Sequence, residues 1–351
     1  LLHLEWKDLA PDVRFDPSRT GVWRYRPLLP SIDPAAITSL GEGGTPLVWI
    51  ERWAAAHGLT RVGIKLESTN PTGSFKDRGT TVLVSHARAL GLGRLVEDSS
   101  GNAGASVAAY AARAGLPCTI YVPARAPAAK RAQIARVGAT VVPIDGSRAA
   151  VTEAALADVA ASGAYYAGHN ANPYFTAGMA SFAYELLEAD GGRLPRHLVI
   201  PTGGGSLVVG AYDGFRRWLG PPADAMRNIP RIHAVQSAGC PPLALAFERG
   251  LAEPAAIDRR PTVAGGIEVE RPPRGRDILA AIRSTGGSAI AVEDAAILHQ
   301  RRLLATLEGI DVEPTSAAAF AGLAQLAHTG AVRPDESVVV VATGAGWKDP
   351  G

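Results

Sequence analysis

The stretch "RLVEDSSGNAGASVAAYAARAGLPCTIYVPA", residues 94–124, carries one complete unit of an α/β fold. "RLVEDS" has the short apolar run of a strand entering a small-residue turn. "AGASVAAYAARAG" is an alanine-rich helix, favoured by the low side-chain entropy cost of alanine and closed by Gly115. "PCTIYVPA" is rich in β-branched residues and reads as the next strand. Strand, helix and strand at this spacing make a crossover between parallel strands. The rhythm continues outward. "TTVLVSHARALG" before it is helical. "PAAKRAQIARVG", with Pro127 near its start, and "RAAVTEAALADVAASG" are helices around the strand "ATVVPIDG". A second series follows. "YFTAGMASFAYELLEADGG" reads as one helix, "RHLVIPTGGG" as a strand into a glycine turn, and "SLVVGAYDGFRRWLG" as a helix. "RIHAVQSAG" is a strand, "VEDAAILHQRRLLATLEG" and "TSAAAFAGLAQLAHTG" are helices, and "ESVVVVATGAG" is a buried strand into a last turn. Residues 241–290, rich in Pro and Arg, carry no clear pattern. The expected fold class is α/β, with two open α/β domains.

In such sheets the chemistry sits beyond the carboxyl ends of the strands. That gives weight to "EDSSGNAG", "IPTGGGS" and "VATGAG", and with them to "ESTNPTGSFKDRGT" (67–80), where Lys76 follows a tight polar turn. Lys76 is expected at the start of a helix. The positive helix end and partial burial both disfavour an ammonium there and favour a nucleophilic amine. Gly203, Gly204 and Gly205 let backbone approach a ligand, and Ser206 adds a hydroxyl at a helix start, so this turn reads as a cradle for a small phosphate. It has neither the GK[ST] of a P-loop nor GxGxxG. Asn102 and the hydroxyls of Ser99 and Ser100, flanking Gly101, are placed either to bind a ligand or to cap a helix. Thr343 ends a buried strand. A nucleophilic lysine plus a phosphate anchor is the minimum equipment for pyridoxal phosphate.

Composition narrows the alternatives. The chain has 351 residues, 47% hydrophobic and 19% charged, with formal net charge +2. No basic run supports nucleic-acid binding. Two distant cysteines, Cys118 and Cys240, exclude a zinc ribbon or a disulfide framework, and no histidines pair at HxxxH spacing, so no metal site is expected. The opening "LLHLEWKDLAPD" lacks signal-peptide character and no apolar run reaches membrane length, so a cytoplasmic protein without membrane contact is expected.

Taken together, "NPTGSFKDRG", "SSGNAGASVAAYAARAGLP", "PTGGGS" and "ATGAGWKDP", with "LGEGGTPL" (40–47), "NPY" (172–174) and "EPTSAAAF" (313–320), resemble the fold-type II (tryptophan synthase β-like) pyridoxal-phosphate enzymes over residues 20–350, and threonine synthase and its paralogues above all. The resemblance implies that Lys76 joins the cofactor as a Schiff base and shuttles protons, with Phe75 near the ring. It implies that Asn102 binds the ring hydroxyl, that Gly203, Gly204, Gly205 and Ser206 hold the phosphate, and that Thr343 faces the ring nitrogen. The turn Ser99, Ser100, Gly101, Asn102 would bind the substrate carboxylate. It further implies a larger cofactor-binding domain (1–82 plus 180–351), a smaller mobile one (83–179) and a homodimer.

The chain departs from the family pattern where threonine synthase binds its substrate's phosphate. "NPYFTAGM" puts Phe175 at the place of an arginine, and Ala177 and Met179 replace a Glu and a Gln. Ala345 replaces a histidine and Trp347 a leucine. Without its arginine a buried phosphate is costly to hold. Phe175, Met179 and Trp347 point to a more apolar substrate pocket, with Arg271, Arg274 and Arg276 as other cations. The expected activity is α-proton abstraction from an L-amino acid followed by β/γ-elimination or replacement, by default O-phosphohomoserine to threonine. A serine/threonine dehydratase-type activity is the alternative, and a catalytically silent cofactor-binding paralogue is the reading from a different class.

Overall fold

The structure is a computed structural model that describes residue 4 and residues 15–126, 128–220 and 228–349. Pro127 lies outside the described residues. The described strands are β1 (Leu47–Trp49), β2 (Val62–Lys65), β3 (Leu95–Glu97), β4 (Cys118–Pro123), β5 (Thr140–Ile144), β6 (Tyr165–Tyr166), β7 (His197–Pro201), β8 (Arg231–Ser237), β9 (Ser288–Val292) and β10 (Val338–Val341). They form two sheets in two compact units, Leu1–Gly44 with Asn70–Ser181, and Thr45–Thr69 with Phe182–Gly351. The sequence reading sets the limits at 82/83 and 179/180 and puts residues 1–82 with the larger unit. In the structure Lys76 and the segment before residue 45 belong with residues 83–179 instead. The cause is packing: the helix Lys76–Ala89 lies against the helices Pro173–Met179 and Asn102–Ala114.

The first unit holds an all-parallel sheet in the order β5-β4-β3-β6. β3 is buried at every residue, as expected of an inner parallel strand covered on both faces. The helix Asn102–Ala114 closes where Gly115 turns left-handed (φ 70°) and its N–H returns to the last carbonyls. The helix Lys76–Ala89 is buried from Asp77 through Ser85. Two glycines permit this. A Cβ on Gly79 would meet the Phe175 carbonyl oxygen at 2.6 Å, and one on Gly178 would overlap the Arg78 carbonyl. Val22, Trp23, Leu29, Ile32, Ala36 and Val82 pack one core cluster, and the Trp23 indole N–H donates to Thr81 Oγ1 at 2.8 Å.

The second unit holds a six-stranded sheet in the order β1-β2-β10-β7-β8-β9, parallel except for β1 on β2. Val338–Val341 are all buried, so the run of valines is an inner strand. Trp53 and Phe320 meet edge to face at 5.4 Å in its core, and Trp53 Nε1 donates to Gln300 Oε1 at 2.9 Å.

Three local readings change. The single helix expected around residues 174–192 is two, Pro173–Met179 and Ser181–Glu188. At the join the Ala180 N–H bonds the Ala177 carbonyl and Ser181 Oγ bonds the Gly178 carbonyl, so the regular ladder is interrupted. Residues 241–290 contain the helices Pro242–Glu248 and Gly275–Ser284 and the start of β9. β1, β2 and the helix Glu51–Ala56 precede the first element read from the sequence.

Candidate active site

In the first unit the site is built around the turn before Lys76. The Gly73 N–H donates to the Asn70 carbonyl at 2.7 Å, and Gly73 supplies the positive φ (78°) that the turn needs. Asp77 then anchors the turn to the helix. Its carboxylate accepts from Thr72 N–H (2.7 Å) and Thr72 Oγ1 (2.6 Å), and from Ser106 Oγ (2.6 Å) on the neighbouring helix. Burial pushes the Asp77 carboxyl up to about 6, against those hydrogen bonds. Lys76 is thereby fixed as the first residue of its helix, with Phe75 as the N-cap and no capping side chain. Lys76 Nζ stands 4.3 Å from the Phe75 ring centre and 5.9 Å from that of Phe175. Phe175, which the sequence reading sets at the place of an arginine, is fully buried with its ring near the Lys76 amine. Met179 is buried too, whereas Trp347, expected beside an apolar pocket, is 64% exposed.

The turn Ser99–Asn102 follows β3 at its carboxyl end. A Cβ on Gly104 would overlap the Ser99 carbonyl oxygen, so glycine lets the turn fold onto the first turn of its own helix. The Gly101 N–H donates to Ser99 Oγ at 3.3 Å. Gly101 is the N-cap and no side chain caps the helix, so the capping alternative for Ser99, Ser100 and Asn102 does not hold. Asn102 is the first helical residue.

Two residues that sequence reading passed over lie in the same unit. Glu97, the last residue of β3, is fully buried, and His169 Nδ1 is 2.8 Å from its Oε1. The His169 ring meets Phe175 edge to face at 5.7 Å. Burial raises the Glu97 carboxyl well above its ordinary value, and the charge of Asp98 adds to this. Burial lowers His169 well below its own, and the charges of Lys76 and Arg148 act in the same direction. Glu97 Oε2 is buried with no hydrogen-bond partner, and so are Ser74 Oγ, Asn170 Oδ1 and Thr176 Oγ1. All four atoms belong to the segments that carry Lys76, Glu97, His169 and Phe175.

In the second unit, β7 runs into Thr202 and the glycine turn, and the helix Ser206–Leu219 starts after Gly205 in the left-handed region (φ 78°) with no capping side chain. A Cβ on Gly205 would overlap Ile278, and one on Gly203 would press on Gly266 and Ile267 at 3.0 Å. Thr343 is buried beyond the end of β10, with its Oγ1 3.0 Å from Ser316 Oγ, which also accepts the Gly344 N–H at 2.9 Å. Of the arginines in this unit, Arg276 pairs with Glu253 at 3.2 Å, and Arg274 is buried with Nε and Nη2 unpartnered, 4.0 Å from Asp277.

The residues of each unit, taken separately, fit a part of pyridoxal phosphate. An uncapped helix start behind glycines whose Cβ atoms have no room suits a phosphate. A lysine at a helix start, among buried polar atoms without protein partners, suits the cofactor's aldehyde and a polar substrate.

Comparison with known proteins agrees. Residues 38–344 match the family model described as pyridoxal-phosphate dependent enzyme. The chain belongs to that family. Within it, the chain is 34% identical to the threonine synthase of Methanocaldococcus jannaschii over 347 residues (99% of this chain, 85% of the relative). It is 36% identical to that of Methanosarcina acetivorans over 335 residues (94% and 80%). A solved threonine deaminase from T.th. superposes with a TM-score of 0.72 at 27% identity, covering 86% of this chain and 92% of that one. The α/β fold-type II class, the cofactor and the resemblance to threonine synthases read from the sequence are thus borne out.

Proposed function

We propose that the protein is a pyridoxal-phosphate-dependent lyase that takes the α-proton from an L-amino acid and expels or replaces a β- or γ-substituent, as a threonine synthase-like enzyme with an altered leaving-group pocket. The observation that carries this is Lys76, held at a helix start by the Asp77 anchor, with Phe75 and Phe175 at 4.3 and 5.9 Å. When bound, the cofactor draws electrons from the substrate's α-carbon. Lys76 Nζ would hold the cofactor's aldehyde carbon and, once released from it, would accept the substrate's α-proton. The N–H groups and hydroxyls of the Ser99–Asn102 turn orient the substrate carboxylate, and Asn102 binds the cofactor's ring hydroxyl. Phe75 packs near the ring. Gly203, Gly204, Gly205 and Ser206 hold the phosphate through the helix start, and Thr343, a neutral hydroxyl, faces the ring nitrogen. The working form is a cytoplasmic homodimer.

Phe175 favours a second reading for the substrate. It is buried where the resemblance expects an arginine, and a phosphate ester gains nothing from an apolar ring. An unphosphorylated hydroxy amino acid, as in a dehydratase, suits it better. Borohydride reduction of the purified holoenzyme followed by peptide mapping tests the assignment of Lys76. The cofactor should be found on the Lys76 peptide, and a label on any other lysine overturns it.

A further inference from the structure

The Glu97–His169 pair, a fully buried carboxyl against a part-buried imidazole, lies in the same unit as Lys76, and the elimination chemistry above leaves it without a task. Glu97 sits at the carboxyl end of β3, where parallel sheets place their chemistry. Its Oε1 is 2.8 Å from His169 Nδ1, while its Oε2 is buried without a partner. His169 presses its ring edge on Phe175, whose centre is 5.9 Å from Lys76 Nζ. A carboxyl–imidazole pair of this geometry fixes which ring nitrogen is occupied and leaves Nε2 for other work. A phosphate leaves as a stable anion, but a hydroxyl leaves only if it is protonated. Phe175 stands where the resemblance places a phosphate-binding arginine, and the acid–base couple packs beside it.

We propose that His169 is the acid that protonates the departing hydroxyl of an unphosphorylated 3-hydroxy L-amino acid, and that Glu97 is its positioning residue. This rests on Lys76 being the base. The α-proton passes to Lys76 Nζ, and the electrons of the α-C–H bond form the carbon–carbon double bond. The C–O bond breaks with both electrons on oxygen, and the Nε2 proton of His169 joins that oxygen, which leaves as water, while the proton of the neutral Glu97 carboxyl passes to Nδ1, so the imidazole stays neutral and the negative charge rests on Glu97. Lys76 gains one positive charge as the Glu97–His169 pair gains one negative charge, so the two changes offset each other. Burial acts on both members toward their neutral forms, which together hold the proton to be given. The charged and titratable groups around the pair are Asp98 beside it, Cys118 on β4, Tyr166 on β6, Arg148 on the helix Arg148–Ser162, and Lys76.

The test compares serine with 3-chloroalanine, whose chloride leaves without a proton. In His169→Asn the turnover of serine should fall about a hundredfold or more, while that of 3-chloroalanine should change by less than about threefold. Both amino acids should still shift the holoenzyme's visible absorbance. Equal losses on the two substrates overturn the proposal. Glu97→Gln should move the alkaline limb of the serine pH–rate profile and leave the 3-chloroalanine profile in place. A serine profile that does not move overturns Glu97's part. Wild-type protein labelled with ¹⁵N-histidine gives a readout that needs no substrate and no folded variant. His169 Nε2 should carry a proton through neutral pH, and an unprotonated Nε2 there refutes the proposal outright. If no amino acid shifts the cofactor absorbance while Nε2 is protonated as stated, it is the lyase reading that fails.

Discussion

Among the described residues each unit holds a histidine–carboxylate pair, and the two pairs differ in how fully their polar atoms are engaged. In the second unit His197 Nδ1 meets His233 Nε2 at 2.9 Å and His197 Nε2 meets Glu336 Oε2 at 3.1 Å. His233 Nδ1 meets Ser288 Oγ at 2.8 Å. Both ring nitrogens of both histidines are engaged, and His197 and Ser288 open β7 and β9, at the amino ends of the strands. In the first unit Glu97 closes β3 at its carboxyl end, meets His169 through Nδ1 of the ring, and keeps an unpartnered oxygen. A closed network ties strands together. An open one, in the unit that holds Lys76, has capacity left for a ligand.

The contrast is open to several tests. The largest effect belongs to Lys76→Ala, which should lower turnover by about 10³-fold or more and abolish the visible absorbance of the lysine-bound cofactor. An unchanged spectrum would remove Lys76 from the chemistry. His197→Ala should instead destabilise the fold by about 1–3 kcal/mol, because His233 and Glu336 lose a buried partner, while the variant's kcat stays within about twofold. Denaturant unfolding measures the first and steady-state kinetics the second. A large kcat loss in folded protein would erase the contrast between the two pairs.

Acid tests the second unit's pair through its two histidines. Burial lowers His233 to about 3 and also lowers His197. The unfolded chain therefore binds more protons than the folded one from about pH 6.5 down toward 3. Stability that is fully present above pH 6.5 should be lost as the pH falls through that window. Melting temperatures taken across it check the sign, and a His233→Gln variant should show a shallower slope. The smallest effect is expected from Phe175→Arg. It should strengthen binding of O-phospho amino acids about tenfold, read by absorbance titration, since the side chain would lie beside Lys76. No gain for any phosphorylated ligand would mean that position 175 does not meet the leaving group.

Much of the candidate site was legible because its parts are local. The lysine turn, the serine–glycine–asparagine turn, the glycine cradle and the threonine after β10 are each set by a few consecutive residues that follow strand or turn signals. Glu97 and His169 were not legible. They are 72 positions apart (169 − 97) and meet only because β6 pairs beside β3 and the chain then turns back. Nothing in "VED" or "GHN" distinguishes a buried pair from a solvated one. The fold shows the same division. Long periodic helices and the valine strand were read directly. β1 and β2, three and four residues long, and β9, set among glycines, depend on their ladder partners for their existence. The unit boundary was misjudged because the close approach of Gly79 and Gly178 draws the lysine helix to residues a hundred positions away, and no local pattern announces that.

The most direct test of a retained cofactor site with a changed substrate is an absorbance titration of the holoenzyme with serine, threonine, homoserine and their O-phospho derivatives, with product analysis. The account predicts a spectral shift with an unphosphorylated hydroxy amino acid and release of its 2-oxo acid. A shift confined to O-phosphohomoserine, with threonine released, would contradict it.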